Sequence, residues 1–334
     1  MSTNGDAPLR VVPVRHYWQW VAGAVAMLLV AMLVHTLLSK VPTGQYLCHG
    51  AAAARHCVRQ LQWRFGWNVV GHYFTSSEIF DGLLLTLELT VIAMAAGIIL
   101  GVTIAIMRLS SNRLLSTTAW LYTWFFRGTP VYVQILFWFN IGALYESFRL
   151  GVPFLHYDFF HVSSSALFSP FTAACFALGL NEGAYMSEIA RSGLISVDEG
   201  QVEAATSIGM SRAQTLRLVI LPQAMRVIIP PTGNEVISML KTSSLASTAG
   251  VIELLGAASN ISATNYLVID LLITASLWYL IFTTVLSIGQ FYLERYFAKG
   301  ALRTPPPTPI QRLKRDVRGI LSKFRTHQDV PRTT

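Results

Sequence analysis

Charge is what this chain lacks most. Asp, Glu, Lys and Arg make up 13% of its 334 residues against 53% hydrophobic, with a mean hydropathy of +0.48. Soluble domains carry about 25% charged residues, so the composition excludes that class and points to an integral membrane protein. Cysteine is also scarce, and three residues are too few for a disulfide scaffold. Cys48 and Cys57 share one loop, where they form a disulfide or stay as two free thiols; an external loop is the condition for pairing. Cys175 falls in an apolar run and reads as a small buried hydrophobe. No cysteine has metal-ligand spacing with histidine, so no metal is expected. Catalytic motifs are missing too. The nearest approach to a nucleotide-binding loop, "GNEVISMLKT" at 233–242, lacks the second glycine and the spacing of GxxxxGKS/T. Neither HExxH nor Gly-x-Ser-x-Gly occurs, so the chain is not expected to be an enzyme or to hydrolyse ATP by itself. The net charge of +8 raises the question of nucleic acid, but 10 of the 25 Lys and Arg lie from Arg295 onward. Basic residues gathered in one tail of an apolar chain mark a cytoplasmic segment beside anionic lipid. Membrane lipid is therefore an expected partner and nucleic acid is not.

What the chain has in quantity is long apolar runs. A spanning helix needs ~20 mostly apolar residues, and six stretches qualify: about 17–38, 79–107, 119–144, 167–190, 223–248 and 266–294. The expected fold class is all-α, a polytopic membrane protein with about six transmembrane helices. Tyr17, Trp18 and Trp20 flank the first run, and Trp120, Tyr122, Trp124, Trp138 and Tyr145 the third, as interfacial anchors do. The first run lacks a small-residue cleavage site and reads as a retained helix. Six spans put both termini on one side, and the basic tail makes that side the cytoplasm. Loops 146–166 and 249–265 then fall outside with a single basic residue, Arg149. The 39–77 loop also falls outside, although it carries Lys40, Arg55, Arg59 and Arg64. Beyond "TPPPTP" (304–309), Leu313, Val317, Ile320, Leu321 and Phe324 share a helical face, flanked by Arg312, Lys314, Arg315, Arg318 and Lys323. That is either a basic amphipathic helix on the inner leaflet or a solvated tail.

One cytoplasmic stretch interrupts the apolar pattern: "EAATSIGMSRAQTLRLVILPQ", residues 203–223. Ser196 and Glu199 form a capping box that starts a helix running to about Ile208, with Gly209 as its left-handed stop. Ser211 and Gln214 form a second box, starting a helix toward Pro222. Two short helices across a tight glycine turn are shared by DNA-binding helix-turn-helices, but a pair stitched between spans cannot easily reach a groove. A re-entrant loop and a docking knob for a soluble partner remain. The order Glu203-Ala204-Ala205, Gly209, Val219, Leu221-Pro222 resembles the EAA loop of ABC transporter permeases, with Val219 where isoleucine is usual. "GLLLTLELT" (82–90), "FRGTPVYVQILFW" (126–138), "NEGAYMSEIARSGL" (181–194) and "ISMLKTSSLAS" (237–247) narrow the resemblance to the polar amino acid uptake branch, which includes histidine, glutamine and glutamate permeases. It covers roughly residues 75–298.

Run length and charge bias imply a cytoplasmic N-terminal tail at 1–16, an extra helix at 17–38, an external loop at 39–77 and a basic cytoplasmic tail at 299–334; the resemblance implies a permease domain at 78–298 with its coupling-helix loop at 195–222. It implies that Glu203, Ala204, Ala205, Gly209, Leu221 and Pro222 dock a cytoplasmic ATPase subunit. ATP and Mg then belong to that partner, and this chain binds no cofactor. The further partners implied are an extracytoplasmic amino acid binding protein and a second permease chain, identical or similar. The location is a bacterial cytoplasmic (inner) membrane, crossed several times, with both termini cytoplasmic.

A charge at the centre of a span costs about 2.5–3.5 kcal/mol, so polar residues inside spans face protein or water. Asn181, Tyr185 and Glu188 fall at i, i+4, i+7 on the fourth span; Asn234, Ser238 and Lys241 do so on the fifth. These stripes are the candidate lining of a solute path. The structural alternative pairs Glu188 with Arg191, and Lys241 with Glu235 or Glu88. Glu182 lies ~100° off its neighbours' stripe and is a weaker candidate. Arg127-Gly128-Thr129-Pro130 should open the third span from the cytoplasmic side, and Pro230-Pro231 should break or kink the fifth near its start. The expected function is an importer permease subunit for a polar amino acid, driven by a separate ATPase. The rival reading, an ion- or proton-coupled transporter, would show inverted repeats; none is visible.

Overall fold

Short polar side chains punctuate the apolar runs and fix where helices begin. The computed structural model describes residues 17–49, 56–63, 65–152 and 157–297, with positions 311, 314, 315 and 318. Helix α1 is Tyr17–Leu37, α2 Trp67–Phe74, α3 Ser77–Arg108, α4 Arg113–Gly128, α5 Val131–Phe139, α6 Ser164–Leu167 and α7 Pro170–Ile195. They are followed by α8 Glu199–Ser207, α9 Arg212–Thr215, α10 Leu221–Thr242, α11 Leu254–Asn265 and α12 Val268–Phe297. The Ser76 hydroxyl accepts from Ile79 N at the start of α3, and the Asn112 amide oxygen from Leu114 N at the start of α4. Ser169 accepts from Thr172 N ahead of Pro170, a residue suited to a first turn.

Among the described residues, three helices are long and apolar enough to cross a membrane by themselves: Val21–Leu38, Ser77–Arg108 and Val268–Phe297. Helices α7 and α10 have the length, 26 and 22 residues, but carry charges within their spans. The third expected span, 119–144, is not one helix. Gly128, Thr129 and Pro130 divide it into α4 and α5, because proline forces Thr129 into an extended conformation (φ −110°, ψ 141°). The RGTP segment is therefore a break inside the span, not its cytoplasmic opening. Conversely, α10 is not broken at Pro230 and Pro231, which lie inside it; a π turn precedes it at Leu216–Ile220. Pro222 lacks the N–H that would bond Leu218 and its ring crowds that carbonyl, which a wider turn relieves.

Helices α3 and α7 form the centre of the body, with small residues setting how close they come. A Cβ at Gly97 would lie 2.4 Å from Glu182 Cγ, and one at Gly101 2.4 Å from Met186 Cβ. Close backbone approach of this kind is what holds helices together where lipid removes the hydrophobic drive. Leu89, Ala93, Ile135, Leu178 and Met239 pack between α3, α5, α7 and α10. A second apolar cluster, including Ile79, Leu83, Leu254, Leu271 and Ala275, joins α3 to α11 and α12. Inside that region Glu253, fully buried, caps α11 by accepting from Leu255 N and Gly256 N, and also takes bonds from Thr86 Oγ1 and Tyr279 Oη. Every residue of α1 from Val21 to Val34 is exposed, and the Trp67 indole ties its end to the body through the Leu37 carbonyl.

Two hairpins occupy the 39–77 and 146–166 loops: β1 (Lys40–His49) with β2 (His56–Trp63), and β3 (Ser147–Val152) with β4 (Tyr157–Ser163), each antiparallel. The body between them is all-helical. The 1–16 tail and the apolar face Leu313, Val317, Ile320, Leu321 and Phe324 lie outside the described residues; Lys314, Arg315 and Arg318 are helical and exposed.

Candidate functional site

The break between α4 and α5 is the central polar feature of the body. Arg127 is 14 residues beyond the first residue of α4, about 21 Å along its axis. A broken helix frees carbonyls at one end and amides at the other, and here the buried Gln134 and the half-buried Asn181 take up the carbonyls. Asn181 Nδ2 donates to the Phe126 carbonyl at 2.8 Å. Gln134 Nε2 donates to the same carbonyl at 3.1 Å, to the Thr129 carbonyl at 3.1 Å and to Thr129 Oγ1 at 2.7 Å. On the other side, the first-turn amides of α5, at Val131, Tyr132 and Val133, have no carbonyl partner within their own helix. Within a membrane, non-helical backbone is tolerated where it lines a cavity or is buried in protein.

Arg127 itself is exposed, with its guanidinium carbon 5.1 Å from the centre of the Tyr185 ring. The two residues line a cleft of about 420 Å³ together with Arg108, Trp120, Thr123, Trp124, Gly128 and Glu188. At its inner end Glu188 bridges two cations: Oε1 accepts from Arg108 Nη1 at 3.0 Å, and Oε2 from Arg191 Nη2 at 2.8 Å. The expected pairing of Glu188 with Arg191 is therefore present, joined by an unexpected one to the last residue of α3.

Of the two stripes, Tyr185 and Glu188 share this cleft, while Asn181 holds the helix break beside it. Asn234, Ser238 and Lys241 are exposed along α10. Lys241 lines a different cleft, about 350 Å³, with Ser244, Ser276, Tyr279, Leu280 and Thr283. Within one chain the stripes do not converge. Lys241 forms neither expected pair, and Asn234 Oδ1 accepts from Gln290 Nε2 of α12 at 3.0 Å.

The residue undervalued by sequence reasoning is Glu182. It is 4% exposed, lies over Gly97 of α3, and its Oε1 has no hydrogen-bond partner. Glu235 of α10 is close enough to act on it electrostatically, and Arg127 acts in turn on Glu235. A buried carboxylate oxygen without a partner is costly, so the position invites a cation or donor. The available signal was its place, 12 residues into a 26-residue helix, where a lone acid is rare.

The helical pair takes the expected outline with two changes. Asp198, not Ser196, caps α8, accepting from Gly200 N, while Ser196 ends α7. Gly209, at φ +81°, closes α8 in a Schellman turn: its N–H bonds to the Thr206 carbonyl and that of Met210 to the Ala205 carbonyl. The Ser211–Gln214 box is complete, but the helix it starts continues through the π turn into α10 without a stop. Glu203, Ala204, Leu221 and Pro222 are exposed, as are Ile208 (79%) and Leu218 (64%); Ala205 is buried. A protruding pair with bare apolar side chains is unfinished surface. It grows directly from α7 and α10, which clasp at Gly193, where a Cβ would lie 2.3 Å from Ile228 Cγ1.

Residues 93–299 match the family described as binding-protein-dependent transport system inner membrane component. The chain belongs to that family. It is thus a permease subunit of an ABC importer of the bacterial type, an integral membrane protein whose ATPase is a separate subunit. The permease is 41% identical to the arginine transport system permease protein ArgU of Corynebacterium glutamicum, over 91% of this chain and 87% of that one. It is 37% identical to the histidine/lysine/arginine/ornithine transport system permease protein HisM of Escherichia coli K12, over 64% and 86% respectively. Among solved structures, an amino acid ABC transporter with histidines matches with a TM-score of 0.58 at 33% identity, covering 69% of the permease and 97% of that chain. The MetNI methionine transporter in an inward-facing form shares the fold, with a TM-score of 0.51 at 15% identity over 66% and 96%. Nothing in these likenesses supports an ion-coupled carrier.

Proposed function

We propose that this permease passes a cationic amino acid across the membrane at the α4–α5 break. Such a solute carries an ammonium, a carboxylate and a positive side chain. Glu182 and Glu235 suit the positive side chain. Arg127 and the first-turn amides of α5 suit the carboxylate, as half-helix N-termini do in other transporters. The observation that carries the reading is Glu182, a mid-helix carboxylate with an unpartnered oxygen, next in sequence to the Asn181 that holds the broken helix. The names of the arginine and histidine/lysine/arginine/ornithine relatives agree in charge type.

The rest of the assembly follows from the exposed polar surfaces. The α8–α9 pair, with Glu203, Ala204, Gly209, Leu221 and Pro222, docks a cytoplasmic ATPase that holds ATP and Mg. Both termini are then cytoplasmic, and the hairpins face an extracytoplasmic binding protein. Lys241, Asn234 and Ser238 are exposed on a span where lipid is unfavourable. A second permease chain, a copy or a relative, covers them and closes the path. Because ATP binding must favour one orientation over the other, the α8–α9 pair transmits the ATPase motion to α7 and α10.

The test is ATP hydrolysis by the full complex in nanodiscs, with its ATPase and binding protein, against arginine, lysine, histidine, glutamine and glutamate. Stimulation should be confined to the cationic members and be lost in Glu182→Gln with the complex intact. Stimulation by glutamate or glutamine alone would overturn the substrate class.

A further inference from the structure

Two of the chain's three cysteines occupy paired positions of the β1–β2 hairpin. The register pairs Leu47 with Val58, Cys48 with Cys57 and His49 with His56. Directly opposed residues of an antiparallel pair have Cα atoms about 4.5–5.5 Å apart, inside the range of about 4.4–6.8 Å that a disulfide spans. We infer that Cys48 and Cys57 form a disulfide that closes the tip of this hairpin on the extracytoplasmic side. The inference rests on the topology proposed above, since only that side of a bacterial membrane sustains disulfides.

The competing chemistry is a metal ion, because the sequence Cys48-His49 and His56-Cys57 supplies four candidate ligands of two types on neighbouring rungs. Strand alternation argues against it. Successive residues belong to opposite faces of a hairpin, so the two cysteines fall on one face and the two histidines on the other. A tetrahedral site needs all four on one side. Oxidation joins the two sulfurs, releases two protons, and passes two electrons to an extracytoplasmic thiol oxidoreductase in its disulfide form, which becomes its dithiol.

The experiment uses the full chain in intact cells, with free thiols alkylated by a permeant maleimide before lysis, then trypsin without reductant. Cleavage after Lys40, Arg55 and Arg59 separates Val41–Arg55 from His56–Arg59. A linked pair of these peptides that falls apart on reduction is the expected result. Recovery of both peptides alkylated and separate overturns the disulfide. Protection that chelator removes and reductant does not would mean a metal instead, which also overturns it. A parallel sample, reduced and then treated with a membrane-impermeant maleimide on spheroplasts, separates the two causes of failure. Labelling there with no linked peptide refutes the disulfide alone; no labelling refutes the topology as well. In Cys48→Ser, Cys57 should become alkylatable without reductant, a change that a buried unpaired thiol would not show.

Discussion

Gly101 sits where α3 crosses α7, and a methyl group there has no room. A Cβ on it would lie 2.4 Å from Met186 Cβ, 2.8 Å from the Met186 carbonyl carbon and 2.9 Å from Ser187 N. Carbon contacts are comfortable at about 3.5–4.0 Å, so Gly101→Ala demands that the helices part by roughly an ångström. Two of the three obstacles are backbone atoms, which no rotamer change can move. One turn away Gly97 is equally tight against Glu182, so the separation spreads along the seam. Overpacking costs about 1–3 kcal/mol; backbone obstruction puts this site near 3, and the better helix propensity of alanine returns about 1 kcal/mol. The expected net loss is about 2 kcal/mol, roughly thirtyfold in the folded-to-unfolded ratio. The assay is equilibrium unfolding in mixed micelles, read by tryptophan fluorescence. Gly289→Ala in α12 serves as the comparison, because a Cβ there meets nothing within 4 Å. It should be neutral or stabilising. If Gly101→Ala matches Gly289→Ala, the close α3–α7 contact is refuted.

Three further outcomes are expected from other parts of the structure. Glu203→Ala should leave folding unchanged, since the side chain is exposed, while ATP hydrolysis in the complex loses its dependence on the loaded binding protein; unchanged coupling would remove Glu203 from the docking surface. Thr86→Val strands the buried Leu254 N–H and takes a donor from Glu253, a loss of about 1–3 kcal/mol, measured as a lower unfolding midpoint. Glu188→Gln should cost only about 1 kcal/mol, because Arg108, Arg191 and Glu188 keep side-chain exposures of 18%, 31% and 23%, and solvent weakens such pairs. A salt titration of wild type against the variant checks it, the difference shrinking as ionic strength rises.

Much of the site was legible in the chain. Capping chemistry is local, so the Ser211–Gln214 box and the left-handed Gly209 were readable from residues three positions apart. The cap of α8 was misassigned to Ser196 because Asp198 competes for the same role two residues later, and α7 continues far enough to claim Ser196. Hydropathy found the spans but not the division of the third. A proline after glycine reads equally as a span boundary or a mid-span break, and only the partners Gln134 and Asn181, which satisfy the opened backbone, distinguish them. Glu182 was discounted because it lies off the stripe of its neighbours. That stripe is a property of one helix, whereas its burial is set by Gly97 on another.

The sequence by itself determined that this is a polytopic membrane protein with a capped helical pair set between apolar runs, because run length and capping patterns are written in neighbouring residues. Tertiary structure alone decided which intramembrane acids are spoken for. Glu188 is claimed by Arg108, 80 positions away, and Glu253 by Thr86, 167 positions away, while Glu182 is left with an unpartnered oxygen. A carboxylate's role in low dielectric depends on the donor that reaches it, and which donor does so is set by how the helices cross.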